Sequence, residues 1–120
     1  MVKVSETTNS NLGNIEIAPE ILIVIASIAT SEVKGIRGHF KEIQNSRIEE
    51  ISKKQLNKGV KIETKSDGIK IDIYCPISYN VNISETAREI QETVFNSIVN
   101  MTKIQPSQIN VHITNIEHTS

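Results

Sequence analysis

Residues 59–78 read GVKIETKSDGIKIDIYCPIS, and this stretch decides the fold. Val60 and Ile62 alternate with Lys61 and Glu63. After the turn chemistry of Ser66-Asp67-Gly68, Ile69, Ile71, Ile73, Cys75 and Ile77 alternate with Lys70, Asp72 and Tyr74. Side chains on a strand point to opposite faces in turn, so a period of two gathers every apolar residue on one face and leaves the other wet. The stretch is therefore a hairpin with one dry face. Pro76 has no amide proton to give to a ladder, which predicts an edge position there or a strand about to leave its sheet.

Downstream, Ser84 can cap a helix and Glu85 sits in its first turn. Ala87, Ile90, Val94, Ile98 and Met101 then form a narrow stripe that ends near Lys103, before Pro106. Ile109, Val111 and Ile113 alternate with Asn110, His112 and Thr114, which predicts a last strand with one dry face. Upstream, residues 13–18 alternate and Pro19-Glu20 opens a helix over 19–34 that stops at Gly35. Its apolar arc is Ile21, Leu22, Ile25, Ala26, Ile28, Ala29 and Val33, with Glu20, Ser27, Thr30 and Ser31 on the wet side. Ile23 and Val24 fall off the arc and mark a surface that wants a second neighbour, either the 36–58 segment or another protein. The run ILIVIASIA is far shorter than the roughly 20 apolar residues a membrane span needs.

Residues 1–11 are polar and aperiodic, a flexible N-terminal tail, and 12–117 form one domain. Within it, the connection at 36–58 shows no single apolar face, and a loosely packed helix inside 41–57 is expected in preference to coil. The order is βα(α)ββαβ. Since each strand has one apolar face only, the expected class is α+β, a mainly antiparallel four-stranded sheet with two long helices on one face. The open face should then show Glu16, Lys61, Glu63, Lys70, Asp72, Tyr74, Asn110, His112 and Thr114.

Within 120 residues, 13 Lys and Arg against 14 Asp and Glu give a net charge of −1, so no overall field draws the chain to nucleic acid or acidic lipid. The single cysteine, Cys75, excludes an internal disulfide, and by alternation it faces the core as a small hydrophobe. His39, His112 and His118 have no metal-ligand spacing, and no phosphate-loop glycine pattern occurs, so no catalytic, metal or cofactor residue is assigned and a non-enzymatic protein is expected. Gly35-Ile36-Arg37-Gly38 reads as a helix stop followed by a turn. It also matches a basic GxxG loop, which keeps a small RNA-binding module as an alternative. That alternative is weak, because the open face offers one aromatic among mixed charges. Met1 to Asn11 contain no charged region leading into an apolar stretch, so a cytoplasmic location is expected.

Several separate blocks carry a family resemblance. KGVKIET, DGIKIDIYCPISYNVNISETAREIQETVFNSIVNMT and INVHITNI, together with IEIAPEIL leading into IASIA near the start, resemble the alkaline-shock, or general-stress, protein family of Gram-positive bacteria. The resemblance implies a small cytoplasmic α+β envelope-stress-response protein without assigned catalytic residues or cofactor. Some members collect beneath the membrane through a membrane-anchored partner. Ser84 stands where the family often has proline, and 36–58 is charged where relatives are commonly glycine-rich. The expected function is that of a non-enzymatic scaffold or adaptor acting through protein–protein contacts, with other copies of itself among the partners, and with Ile23, Val24 and Tyr74 as interface residues. A regulator of lipid synthesis that binds acetyl-CoA carboxylase is the alternative, implied by the gene neighbourhood of one branch.

Overall fold

A computed structural model describes residues 2–4, 15–47, 56 and 58–118. The elements are β1 (Val2–Val4), β2 (Ile15–Ile17), α1 (Pro19–Ser31), α2 (His39–Asn45), β3 (Val60–Lys65), β4 (Gly68–Ser78), α3 (Ile83–Thr102) and β5 (Gln108–Glu117). The class is α+β, as the alternation implies, but the sheet differs from the expected one. It has three strands in the order β3-β4-β5 and is mixed, while β2 pairs antiparallel with β1 in a separate two-stranded ribbon.

The hairpin of β3 and β4 is antiparallel, with Val60 opposite Ile73 and Lys65 opposite Gly68. β5 lies parallel to β4, with Ile71 opposite Ile109, Ile73 opposite Val111 and Cys75 opposite Ile113. The reason lies in α3. A helix of 20 residues rises about 30 Å, long enough to carry the chain back along β4, so that the next strand starts at the same end. Apolar alternation reports which face of a strand is dry and carries no information about its direction, and the antiparallel expectation failed at β5 for that reason. β2 left the expected sheet because its three residues find a local partner in Val2–Val4.

β4 is the centre of the molecule. Its side chains at Ile71, Ile73, Cys75 and Ile77 are fully buried and meet Leu22, Ile25 and Ala26 of α1, Phe40 of α2, and Ile90, Val94 and Ile98 of α3 in one core. Pro76 costs the strand little. On the edge where its N–H would have pointed, Tyr74 N–H donates to the Gly59 carbonyl at 2.7 Å and Ser78 N–H to the Gly35 carbonyl at 2.8 Å. The proline thus falls in the gap where that edge passes from β3 to residues 35–37. Pairing with β5 continues past it to Ser78, after a register irregularity between Cys75 and Pro76.

The helices also depart from expectation at particular residues. α1 ends at Ser31, and a turn through Gly35, whose φ of +95° suits glycine, replaces its last turn. Ser27, Thr30 and Ser31, expected on the wet side, are buried. Their hydroxyls donate to the carbonyls of Leu56, Ala26 and Ile28 at 2.6, 2.8 and 2.6 Å, which removes most of the cost of burying them. Ile21, counted in the apolar arc, is exposed. α2 begins at His39, earlier than the expected 41–57 helix, and packs Phe40 and Ile43 inward; positions 48–55 and 57 lie outside the described residues, as do Met1 and 5–11 of the expected tail. On α3 the cap is Asn82, whose Oδ1 accepts from Glu85 N–H at 2.9 Å, so Ser84 lies inside the helix. The buried stripe is Thr86, Ile90, Val94, Ile98 and Thr102, and Met101 is 70% exposed.

Ile71 sits between Ile62 and Ile109 with no exposed surface. Ile71→Asp would bury an unpaired carboxylate and is expected to cost several kcal/mol, comparable with the roughly 5–15 kcal/mol that holds a domain folded. Urea unfolding monitored by circular dichroism measures it. A midpoint equal to the parent's would show that the face assignment is wrong.

Candidate functional site

The helices cover one face of the sheet, and the alternation of β3, β4 and β5 sends Lys61, Glu63, Lys70, Asp72, Tyr74, Asn110, His112 and Thr114 to the other. Glu16, expected among them, belongs to the separate ribbon. The parallel register places Tyr74 opposite His112 and Asp72 opposite Asn110. The Tyr74 and His112 rings stack with centroids 4.4 Å apart and planes 10° from parallel. Lys61 Nζ stands 5.5 Å from the centre of the Tyr74 ring, within the range of a cation–π contact. Beside the ring, Gly59, Val60, Lys61 and Tyr74 bound an open cavity of about 300 Å³.

One carboxylate ties this row together. Asp72 Oδ1 accepts from His112 Nε2 at 3.0 Å and from Asn110 Nδ2 at 3.1 Å. The His112 hydrogen bond holds the Asp72 carboxyl below the usual carboxylate range. Partial burial opposes that effect, while the Asn110 hydrogen bond and the nearby charges of Lys70 and His112 support it. The result is a hydrogen-bonded platform that presents one stacked aromatic pair with a lysine beside it. Among the described residues, Asp72 is the only side chain hydrogen-bonded to the His112 ring, so no hydroxyl or thiol is aligned there as a nucleophile.

His39 and Cys75 serve the fold. His39 Nε2 donates to the Lys58 carbonyl at 2.6 Å and so fastens the chain where β3 begins; burial lowers the His39 pKa. Gly59 is required beside it, because its φ is +85° and a Cβ would come within 2.6 Å of the His39 ring. Cys75 faces the core, where burial pushes its pKa up to about 12. His118 tilts against Tyr79 at 4.5 Å. Among the described residues, no cluster of three or more His, Cys, Asp or Glu could hold a metal ion.

Of the residues singled out in the sequence, Tyr74 lies in the platform, and Ile23 and Val24 lie on α1, on the other side of the sheet. The three do not form one surface. Ile23 is half-buried against the core, as is Leu56, whose carbonyl is held by Ser27 one turn along the helix. The 36–58 segment therefore reaches this side of α1. Asp72, Asn110 and His112 were placed on the open face by alternation, but their joining to Tyr74 depends on the parallel register. That register spans 38 to 40 positions of sequence, and no local pattern announces it.

The profile of the alkaline-shock protein family, described as having a cell envelope-related function, matches residues 7–118. The chain belongs to that family. It is the one that the sequence blocks resemble. The chain is 40% identical to the uncharacterized protein YqhY of Bacillus subtilis over 112 residues, covering 91% of this chain and 81% of the relative. It is 34% identical to the uncharacterized protein Spy1535 of Streptococcus pyogenes serotype M6 over 111 residues (91% and 83%). With YloU of Bacillus subtilis, also uncharacterized, identity is 26% over 110 residues (90% and 92%). No solved structure matches the chain at a significant level. Among the described residues, no helix of this alkaline-shock-family chain is long and apolar enough to cross a membrane.

Because its pKa is lowered on folding, the Asp72 carboxylate contributes stability that is complete above the ordinary aspartate value of about 3.9 and is lost as pH falls through its own lower value. The parent should melt above Asp72→Asn at pH 5, and the gap should shrink as pH falls below about 4. Thermal melts across that range check it; a gap independent of pH would remove the charge from the explanation.

Proposed function

We propose that this chain is a non-enzymatic, cytoplasmic adaptor or scaffold within the envelope-related function of its family, and that it grips a protein partner with the open face of its sheet. The observation that carries this reading is the platform itself. Tyr74 and His112 are held by stacking and by the Asp72 hydrogen bond, with Lys61 beside the ring, outside the core and on the face opposite the described helices. Aromatic groups are rich contributors to protein interfaces, and side chains already fixed lose less entropy when a partner arrives. Asp72 and Glu63 lie on the same face, a poor feature for phosphate backbones and an ordinary one for a protein surface.

β5 adds a second grip. Among the described residues, its outer edge has no partner strand. Its sequence, QINVHITNIE, contains one charge, at Glu117, and no proline. Edges are usually protected by such residues, so beyond Ile109, whose carbonyl accepts from Gln91 Nε2 at 3.0 Å, this one is open to an added strand from a partner or from another copy of the chain. In this reading, attachment to the membrane comes through an anchored protein.

Cross-linking and affinity capture from the native cell, with Tyr74→Ala plus His112→Ala beside the parent, tests the proposal. The double variant should keep its fold by circular dichroism and lose the captured proteins. An unchanged set of captured proteins would contradict the platform reading. So would their loss in an Ile23→Lys plus Val24→Glu pair alone, which would move the contact to α1. Recovery of RNA in place of protein would contradict the adaptor role.

A further inference from the structure

A second concave site lies where α1, α2 and the carboxyl end of β4 meet. It shares no lining residue with the platform. α1 stops at Ser31, and the turn at Gly35 lays residues 35–37 against β4, with Ile36 bridging Ile77 and Arg37 N–H donating to the Pro76 carbonyl at 3.1 Å. Gly38, with φ +70°, then turns the chain into α2. A side chain there would strike the Pro76 ring at 2.6 Å. Both glycines are thus set by the backbone, and the path they impose gathers Lys34, Arg37 and Lys41 around one notch of about 400 Å³.

The floor is polar. Ser78, fully buried, donates its hydroxyl hydrogen to Asn80 Oδ1, and Gln44 links the rim to α1 by donating Nε2 to the Ser31 carbonyl at 2.8 Å. Gln44 Oε1 in turn accepts from Lys41 Nζ at 2.7 Å, which holds that ammonium at the rim. Three cations and one carboxylate, Glu32, line the notch. Among the described residues none of the three cations lies within 4.0 Å of a carboxylate, the ion pairs being Lys65 with Glu63 and His112 with Asp72. A local surplus of positive charge gathered in a chain of net charge −1 calls for an anion. Val33 and Val81 supply an apolar wall beside it.

We propose that this notch binds a small phosphorylated metabolite, of about nucleotide size, through its phosphate. Arginine suits phosphate because its planar fork can give two parallel hydrogen bonds, and the lysines add point charge. The volume lies within the range of about 300–1,000 Å³ typical of small-ligand sites, larger than a bare phosphate needs.

The test is titration of the amide NMR spectrum with inorganic phosphate, adenosine monophosphate, sodium chloride at matched ionic strength, and a short single-stranded RNA. Saturable shifts confined to residues 32–44 and 78–81 are expected with phosphate and more tightly with the nucleotide. Arg37→Gln plus Lys41→Gln should weaken the nucleotide by about tenfold or more. Since Arg37 Nη1 also donates to the Ile36 carbonyl, the exposed Lys34→Gln serves as a variant without that structural role and should weaken binding by a smaller factor. Absence of saturable shifts at millimolar phosphate and nucleotide would overturn the site, as would equal shifts with chloride. RNA binding more tightly per phosphate than the nucleotide would overturn the small-ligand assignment.

Discussion

The burial of one face of β4 between two paired edges is the constraint on which the rest of the molecule depends. Ile71, Ile73, Cys75 and Ile77 have no exposed surface, and each isoleucine so buried contributes on the order of 1.5–3 kcal/mol. That burial requires β3 on one edge, β5 on the other, and α1 and α3 above. It also fixes what the opposite face must carry. Because side chains alternate, Lys70, Asp72 and Tyr74 have no choice but to face away from the helices. The core and the platform are two consequences of the same eleven-residue strand.

The end of that strand sets the notch as well. Pro76 cannot donate on the β3 side, and the edge passes there to residues 35–37, which brings the turn between α1 and α2 onto β4. Gly35 and Gly38 make the approach sterically feasible. A partner surface on the sheet and an anion site at its end would then share one rigid strand. Occupancy of the notch could bear on the adaptor only through β4 or the α1–α2 turn.

What the sequence made legible was whatever depends on local period. The faces of β3, β4 and β5, the turn at Ser66-Asp67-Gly68 and the existence of α1 and α3 follow from alternation and stripe. Direction and partnership do not. Nothing near Ile109 reveals that its strand runs parallel to β4, and nothing near Ile15 reveals that it pairs with Val4. Ser27, Thr30 and Ser31 look wet because hydroxyls usually are, yet carbonyls of the backbone satisfy them in the interior. The site was legible to the same degree. Tyr74 stood out as the aromatic of the open face, and His112 was placed on the same face, but their pairing and stacking are products of register. The notch was hidden more deeply, since Lys34, Arg37 and Lys41 look like ordinary solvated charges until the chain is folded against Ser78.

Amide hydrogen exchange resolved by residue tests the central place of β4 most directly. β3 pairs with residues 68–73 and β5 with residues 70–78. Consecutive amides from 70 to 74 should therefore all exchange slowly, while protected and unprotected amides alternate along β5, which among the described residues has a partner strand on one edge only. Alternating protection along β4, or unbroken protection along β5 in a dilute monomeric sample, would mean that β4 is not the central strand and that the platform and the notch have been placed on the wrong frame.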